Sequence, residues 1–216
     1  MTAIVENLDL YWSGFLTTLG LSVLAGLLAF TLGTLLAAFR VSPIPPLQAL
    51  GTFYVETFRN TPLTVVWFFA VFALPLIDIT LPSFFVAGVF ALGLYTAAFV
   101  CEAVRSGINS VAAGQAEAAR AIGLTFTQTL SLVVLPQAFR TVVPPLGNVW
   151  IAMVKNSSIG AAFAITELTA VATRLVNTYP ADVIAVFAGS AVGYLLITIP
   201  SGLMLGVVER RVVVLR

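Results

Sequence analysis

EAARAIGLTFTQTLSLVVLP, running from Glu117 to Pro136, is a polar, alanine-rich stretch in a chain that otherwise reads as lipid-facing helix. It presents a compact Glu117-Ala118-Ala119 knob, Gly123 six residues after the glutamate, and Leu135-Pro136 as a stop. Alanine is the strongest helix former, so Ser110 to Ile122 is expected to be helical, and Gly123 stands where a C-terminal cap belongs. Leu124 to Val134 carries two patterns. Leu124, Phe126, Leu130 and Leu132 alternate as in a strand, whereas Phe126, Leu130, Val133 and Val134 share a helical face. A lone strand beside a membrane would leave its backbone unpaired, so helix is the expectation. The plain alternative for the whole stretch is an ordinary amphipathic helix in which Glu117 pairs with Arg120, three residues on.

Working outward, the rest of the chain is too apolar for a water-soluble domain. Hydrophobic residues make up 60% and charged residues 9%, against about 25% charged in soluble proteins. Crossing a hydrocarbon core takes ~20 apolar residues at 1.5 Å rise each. Tyr11–Phe39, Ile79–Cys101 and Val183–Val208 carry no charge at all. Asn60–Ile77 is shorter but adequate, and Thr141–Thr166 is interrupted only by Lys155. These runs predict an all-α integral membrane protein with five transmembrane helices. The first helix follows no Lys or Arg and exceeds a signal-peptide core, so it is expected to remain in the mature protein.

The charges sort by side. The N-terminal tail, the 78–82 turn and the 166–182 loop hold Glu6, Asp9, Asp78, Glu167 and Asp182 against one basic residue, Arg174. The other side holds Arg40, Arg59, Arg105, Arg120, Arg140, Arg210, Arg211 and Arg216. By the positive-inside rule the second side is cytoplasmic, with the N-terminus outside and the C-terminus inside. Glu117 then lies in the cytoplasm. Histidine is absent and Cys101 stands alone, which excludes an internal disulfide and a Cys/His zinc site. The chain carries neither a phosphate-binding G-x-x-x-x-G-K-[ST] loop nor a G-x-S-x-G nucleophile elbow, and no basic cluster for nucleic acid. No catalysis, metal or cofactor is expected on it.

Between these landmarks, Tyr11 and Trp12 mark the membrane entry of helix 1, and Pro43, Pro45 and Pro46 a short turn after it. Leu47–Arg59 reads as an amphipathic helix leading into helix 2, and helix 3 covers about Ser83 to Val104. Glu102 and Arg105 share a helical face and are expected to pair. Pro136 is expected to bend the chain and Pro144-Pro145 to open helix 4, about Pro145 to Ile165; helix 5 is about Asp182 to Val208. Gly189-x-x-x-Gly193 and Gly202-x-x-x-Gly206 permit close packing of helix 5. Trp67, Trp150 and Tyr95 read as packing residues.

The spacing Glu117-Ala118-Ala119, three residues, Gly123, nine residues, Val133-Val134-Leu135-Pro136 resembles the EAA loop of ABC-importer permeases. Val133 replaces the usual Ile of that pattern. FYVETFRNTPLTVVWFF at 53–69, LYTAAFVCEAVRSGINSVAAGQAEAARAIGL at 94–124 and LPQAFRTVVPPLGNVWIAMVKNSSI at 135–159 resemble helix 2, helix 3 with the docking loop, and helix 4 of polar amino-acid permeases. The wording of RNTPLT and RSGINSVAAGQAEAARA is similar to glutamate-uptake permeases in particular.

The resemblance implies a type I ABC importer transmembrane domain. It would be one permease domain over residues 1–216, with a core of about 11–211 and a docking loop of about 109–136. Implied partners are two ATPase subunits that hold the ATP and magnesium, a second permease chain (paralogue or self), and an extracytoplasmic substrate-binding protein. The implied location is the bacterial inner membrane. The implied cargo is a polar amino acid, glutamate first, with glutamine, histidine, arginine or cystine as alternatives. An ion-coupled secondary transporter is the other transport class, but those folds usually show repeat halves, and no internal repeat is visible here.

Two sets of site residues follow. Glu117, Ala118, Ala119, Gly123, Leu135 and Pro136 form the docking set: a carboxylate, two small residues for close approach, a turn, and an end to the module. Lys155 is expected about ten residues past Pro145, ~15 Å into the bilayer, where a charge usually faces a cavity or a partner. The substrate path is then Lys155, Asn156, Ser157 and Ser158, with Arg59, Asn60 and Thr61 at the mouth of helix 2. Against this, Lys155 would pair with Glu56, and Arg59 would be a surface anchor.

Overall fold

A computed structural model describes residues 2–212, with side chains from 3 to 211. Arg216, counted among the basic residues above, lies outside that range. Ten α-helices make up the described chain, joined by short π and 3₁₀ segments. α1 (Thr2–Val5) precedes α2 (Leu8–Val41), which at 34 residues is about 51 Å long and outreaches a ~30 Å hydrocarbon core. Every fourth residue along one stripe of α2 is small and buried: Ala25, Ala29, Gly33 and Ala37. This stripe meets α5 (Phe84–Asn109), whose own small residues Ala91, Ala97 and Ala98 are also buried. In lipid no hydrophobic force draws two apolar helices together, so close backbone approach has to supply the packing energy. At Gly33 a Cβ would lie 2.6 Å from the carbonyl oxygen of Ala97, so only glycine fits there. Thr18 and Ser22 satisfy their buried hydroxyls on the carbonyls four residues back.

Among the described residues, four helices are long and apolar enough to cross a membrane unaided: Leu8–Val41, Phe84–Asn109, Phe126–Phe163 and Pro180–Arg211. The fifth crossing is a broken pair, Pro45–Asn60 and Leu63–Ile77, bent by 104°. Pro62 has no N–H to continue α3 (Pro45–Asn60) and stands instead as the N-cap of α4 (Leu63–Phe68). The chain then passes through a π turn, Phe69–Ala73, and a 3₁₀ turn, Leu74–Ile77, before Asp78 takes a left-handed φ of 61°.

Several expectations change. Helix 4 does not open at Pro145. It begins in the polar stretch: α7 (Phe126–Thr129), a π segment (Leu130–Val134) and α8 (Leu135–Asn156) run on as one span, with Pro144 and Pro145 inside it. Proline is tolerated inside membrane helices because neighbours and local π adjustments re-satisfy the freed backbone groups. Leu135-Pro136 therefore does not end the module, since Pro136 falls in the first turn of α8, directly after the π segment whose local adjustment accommodates the missing N–H. The 166–182 segment is also more than a loop. α9 (Leu168–Thr178) buries Leu168, Val171, Ala172 and Leu175, an i, i+3, i+4, i+7 stripe, against α2 and α10 (Val183–Val212).

The main core lies where α2, α4, α5 and α8 meet. Trp67 is fully buried there, its ring stacked 5.2 Å from Phe163 and close over Gly88. Outside that core the surface is covered with large apolar side chains, among them Phe68, Phe69, Phe72 and Leu76. So much exposed apolar surface suits a bilayer and not water.

Candidate functional site

Two regions carry chemistry, one at each end of the π-bulged span. The first is the polar stretch. α6 (Ala113–Ala121) ends at Ile122, and Gly123 follows with φ of 92°, a left-handed conformation that favours glycine. The cap bonds run from the Gly123 N–H to the Arg120 carbonyl at 3.0 Å and from the Leu124 N–H to the Ala119 carbonyl at 3.1 Å. Thr125 and Gln128 then form a capping box that starts α7. The three alanine-knob residues separate by face. Glu117 and Ala118 are exposed, whereas Ala119 is buried and packs inward. Ile122, not in the expected docking set, is 81% exposed.

The expected Glu117–Arg120 pair is not formed among the described residues. Arg120 donates from Nε to the Ala116 carbonyl at 3.4 Å. Beside it a groove of about 130 Å³ opens between Ala116, Arg120, Phe126, Thr129, Leu130 and Val134. The buried Thr129 hydroxyl has no hydrogen-bond partner among the described residues. Because α6 packs on the Leu130–Val134 segment, which continues into α8, a push on the knob is applied directly to a membrane-spanning helix.

The second region lies midway along α5. Tyr95, Thr96 and Phe99 face Val149, Ala152, Met153 and Asn156 of α8 across a cavity of about 150 Å³. Its polar groups are a phenol, a hydroxyl and an amide. Larger cavities, of about 530 Å³, 520 Å³ and 480 Å³, are lined almost wholly by apolar side chains. Tyr95 and Thr96 were not candidates from the sequence; a hydroxyl in an apolar helix and the four-residue spacing of Tyr95 and Phe99 were the available signals.

The seven path candidates are scattered by the fold. Asn156 lines the α5–α8 cavity. Lys155, one position earlier and so ~100° round the helix, is exposed in the last turn of α8, well past mid-helix because α8 starts ten residues before Pro145. It does not pair with Glu56, whose carboxylate accepts from Asn60 Nδ2 at 3.1 Å. Ser157 is buried and donates to the Val154 carbonyl, and Ser158 is half-buried. Thr61 donates to the Thr57 carbonyl and lines the apolar cavity beside α4. Arg59 lies against the Phe99 ring, 5.9 Å from its centroid.

The expected Glu102–Arg105 pair is present, with Arg105 Nη2 3.0 Å from Glu102 Oε2, and it belongs to a larger cluster. Arg40, from the end of α2, hydrogen-bonds Glu102 Oε1, and Arg59 approaches Oε2 at 3.6 Å. One carboxylate thus gathers the ends of α2, α3 and α5.

Glu167, counted by sequence among the acids of the outer side, is fully buried. Its carboxyl caps α9 by accepting from the N–H groups of Thr169 at 2.9 Å and Ala170 at 2.8 Å. Tyr194 of α10 donates its hydroxyl to the same carboxyl. Burial pushes the Glu167 carboxyl above its ordinary pKa, against the lowering from these donors. Glutamate is not a usual N-cap residue, so the available signal was the apolar 3.6-period stripe that follows it.

Comparison with known proteins agrees with this architecture. Residues 12–214 match the family described as binding-protein-dependent transport system inner membrane component. The chain is 42% identical to the probable glutamine ABC transporter permease protein GlnM of Bacillus subtilis, over 98% of this chain and 97% of that one. It is 39% identical to the glutamate transport system permease protein GluC of Corynebacterium glutamicum, over 93% and 92% of the two chains. Among solved structures, a chain from the crystal structure of an amino acid ABC transporter with histidines superposes with a TM-score of 0.88 at 32% identity, covering 96% of each. A match over nearly the whole chain, on a helical membrane scaffold with the polar knob at one end, places the protein among the binding-protein-dependent transport system inner membrane components, the transport subunits of ABC importers.

Proposed function

We propose that this chain is the permease subunit of an ATP-driven importer for a polar amino acid, with glutamate the first candidate and glutamine the second. The observation that carries the coupling mechanism is the exposed Glu117-Ala118 face of α6, seated on a π segment that runs without a break into α8. The chain has no nucleotide-binding loop, so energy has to enter through a contact. The docked partner is an ATPase that holds ATP and magnesium, and two such subunits serve a pair of permease chains. An external binding protein delivers the amino acid. The basic ends at Arg40, Arg59, Arg105, Arg120 and Arg210 face the cytoplasm of a bacterial inner membrane, and the N-terminus faces outward.

The path for the amino acid follows the α5–α8 cavity, where Asn156, Tyr95 and Thr96 offer neutral hydrogen-bonding groups. Closure of the two ATPases drives the α6 knobs together, and the α7–α8 span carries that motion to the wall holding Asn156. Sequence similarity to both glutamine and glutamate permeases supports an amino-acid cargo without choosing between those two.

The test is uptake of radiolabelled L-glutamate and L-glutamine by the complete complex in proteoliposomes with internal ATP. Glu117→Lys reverses an exposed charge, so the protein should insert and purify as wild type, while ATP-driven uptake is abolished. Wild-type uptake by this variant removes the docking role of Glu117. Uptake that needs no ATP removes the importer reading itself.

A further inference from the structure

Glu102 is the carboxylate for three guanidiniums, and their bonding is unequal. Arg40 and Arg105 hydrogen-bond it, between them occupying both oxygens. Arg59 stands at 3.6 Å from Oε2, beyond hydrogen-bond reach, and its guanidinium makes no hydrogen bond among the described residues. Three cations against one anion leave two positive charges at this end of the bundle. Arg59 is the loosely held one, with 43% of its side chain exposed against 13% for Arg40.

The other contact of Arg59 is the Phe99 ring. Phe99 also lines the α5–α8 cavity, so a single aromatic side chain belongs both to the cavity wall and to the seat of the cation. The cavity itself offers only neutral polar groups. A molecule bearing a carboxylate can be hydrogen-bonded there by Tyr95, Thr96 and Asn156, but its charge is met only beyond Phe99. Arg59 is also the penultimate residue of α3, next to the 104° bend, so any change at that bend moves its guanidinium relative to α5.

We propose that Arg59 receives the substrate's carboxylate as the amino acid leaves the α5–α8 cavity past Phe99, exchanging its loose contact with Glu102 for a two-pronged bond to the passing carboxylate. This rests on the permease reading above. Guanidinium suits the task because its planar fork matches a carboxylate and its charge stays constant. Glu102 serves as the parking partner. It keeps Arg59 from binding a carboxylate so tightly that release becomes slow, while Arg40 and Arg105 hold Glu102 in place.

The experiment compares Arg59→Gln and Arg59→Lys in the reconstituted complex, reading uptake of L-glutamate, or of L-glutamine if that is what the wild type carries, together with thermal stability. Capture by the binding protein sets KM, and passage through the permease sets the maximal rate. Arg59→Gln should lower the maximal rate about tenfold or more, as loss of a charged hydrogen bond does, with KM and melting temperature unchanged. Arg59→Lys keeps the charge but loses the fork, so its rate should be intermediate.

An unchanged maximal rate in Arg59→Gln overturns the proposal, and so does a loss that tracks a lower melting temperature, which would mark Arg59 as a structural partner of Glu102. Should Arg59→Gln fail to assemble, Arg59→Lys decides: an intermediate rate at normal stability supports the role and a wild-type rate refutes it. If the wild-type complex moves neither amino acid with ATP, the permease reading fails; if it does and Arg59→Gln matches it, only the role of Arg59 falls.

Discussion

Replacing Glu167 with alanine tests the outer junction of the fold. The carboxyl accepts from two backbone N–H groups at the start of α9 and from the Tyr194 hydroxyl of α10. The adjoining Leu168 N–H donates to Thr18 of α2, and Ser190 of α10 donates to the Leu168 carbonyl. Three elements therefore meet at one capping residue that has no exposure. Hydrogen bonds inside membrane proteins average ~0.6 kcal/mol each, because the unfolded state in lipid finds partners too, so three acceptor contacts give a floor of about 2 kcal/mol. Loss of an N-cap costs ~1 kcal/mol and a bond to a charged group about 1.5–3 kcal/mol, which gives a ceiling of about 4 kcal/mol.

Glu167→Gln keeps a carbonyl oxygen for the cap and resembles the neutral acid that burial favours, so it should lose about 1 kcal/mol or less. The chain supplies its own reporter. Cys101 is the single cysteine and is buried, so a fluorogenic maleimide labels it only as the protein unfolds. At about 2–4 °C per kcal/mol for a chain of this size, Glu167→Ala should melt about 5–15 °C below wild type in detergent, with Glu167→Gln between them. An alanine variant within 2 °C of wild type, on the same scale of about 2–4 °C per kcal/mol, would refute the junction as a source of stability.

Gly33→Ala places a methyl group 2.6 Å from the Ala97 carbonyl oxygen, which forces α2 and α5 apart; overpacking of about 1–3 kcal/mol outweighs a helix-propensity gain of about 1 kcal/mol, so the melting temperature should drop. Gly114→Ala, with nothing within 4 Å of the new methyl, should melt at or slightly above wild type, and the reverse order of the two variants would contradict the packing argument. Orientation is read with Cys101 replaced by serine and single cysteines at the exposed positions Gly114 and Thr178. A membrane-impermeant maleimide should label position 178 from outside and position 114 only in inverted vesicles, and the opposite pattern would invert the topology together with the docking role.

The sequence alone was enough to fix the class of this protein, because bilayer thickness turns an uncharged run directly into a helix. Tyr11–Phe39 and Val183–Val208 fall inside α2 and α10, and Ile79–Cys101 falls inside α5 from Phe84 onward. Local chemistry was equally legible: Gly123 takes the left-handed φ that its position after an alanine-rich helix implied, and Glu102 pairs with Arg105 three residues on. These features depend on neighbours within one or two turns.

What the chain did not disclose depends on partners far away in sequence. Pro144 and Pro145 read as a helix start because proline removes a backbone bond, but α8 is packed between α5 and α10, which lets the span continue through both. Glu167 counted only as one acid of the outer side, and nothing in the sequence showed that α2, α9 and α10 close over it. Lys155 and Asn156 are adjacent in sequence, yet 100° of helical rotation sends one to the surface and the other to the cavity opposite Tyr95 and Thr96. Arg59 looked like a surface anchor until the fold set it between Glu102 and Phe99. Composition and period decide which segments enter the membrane; which of their polar side chains then meet is decided only by the rotation and crossing of helices held together by small-residue contacts such as Gly33 on Ala97.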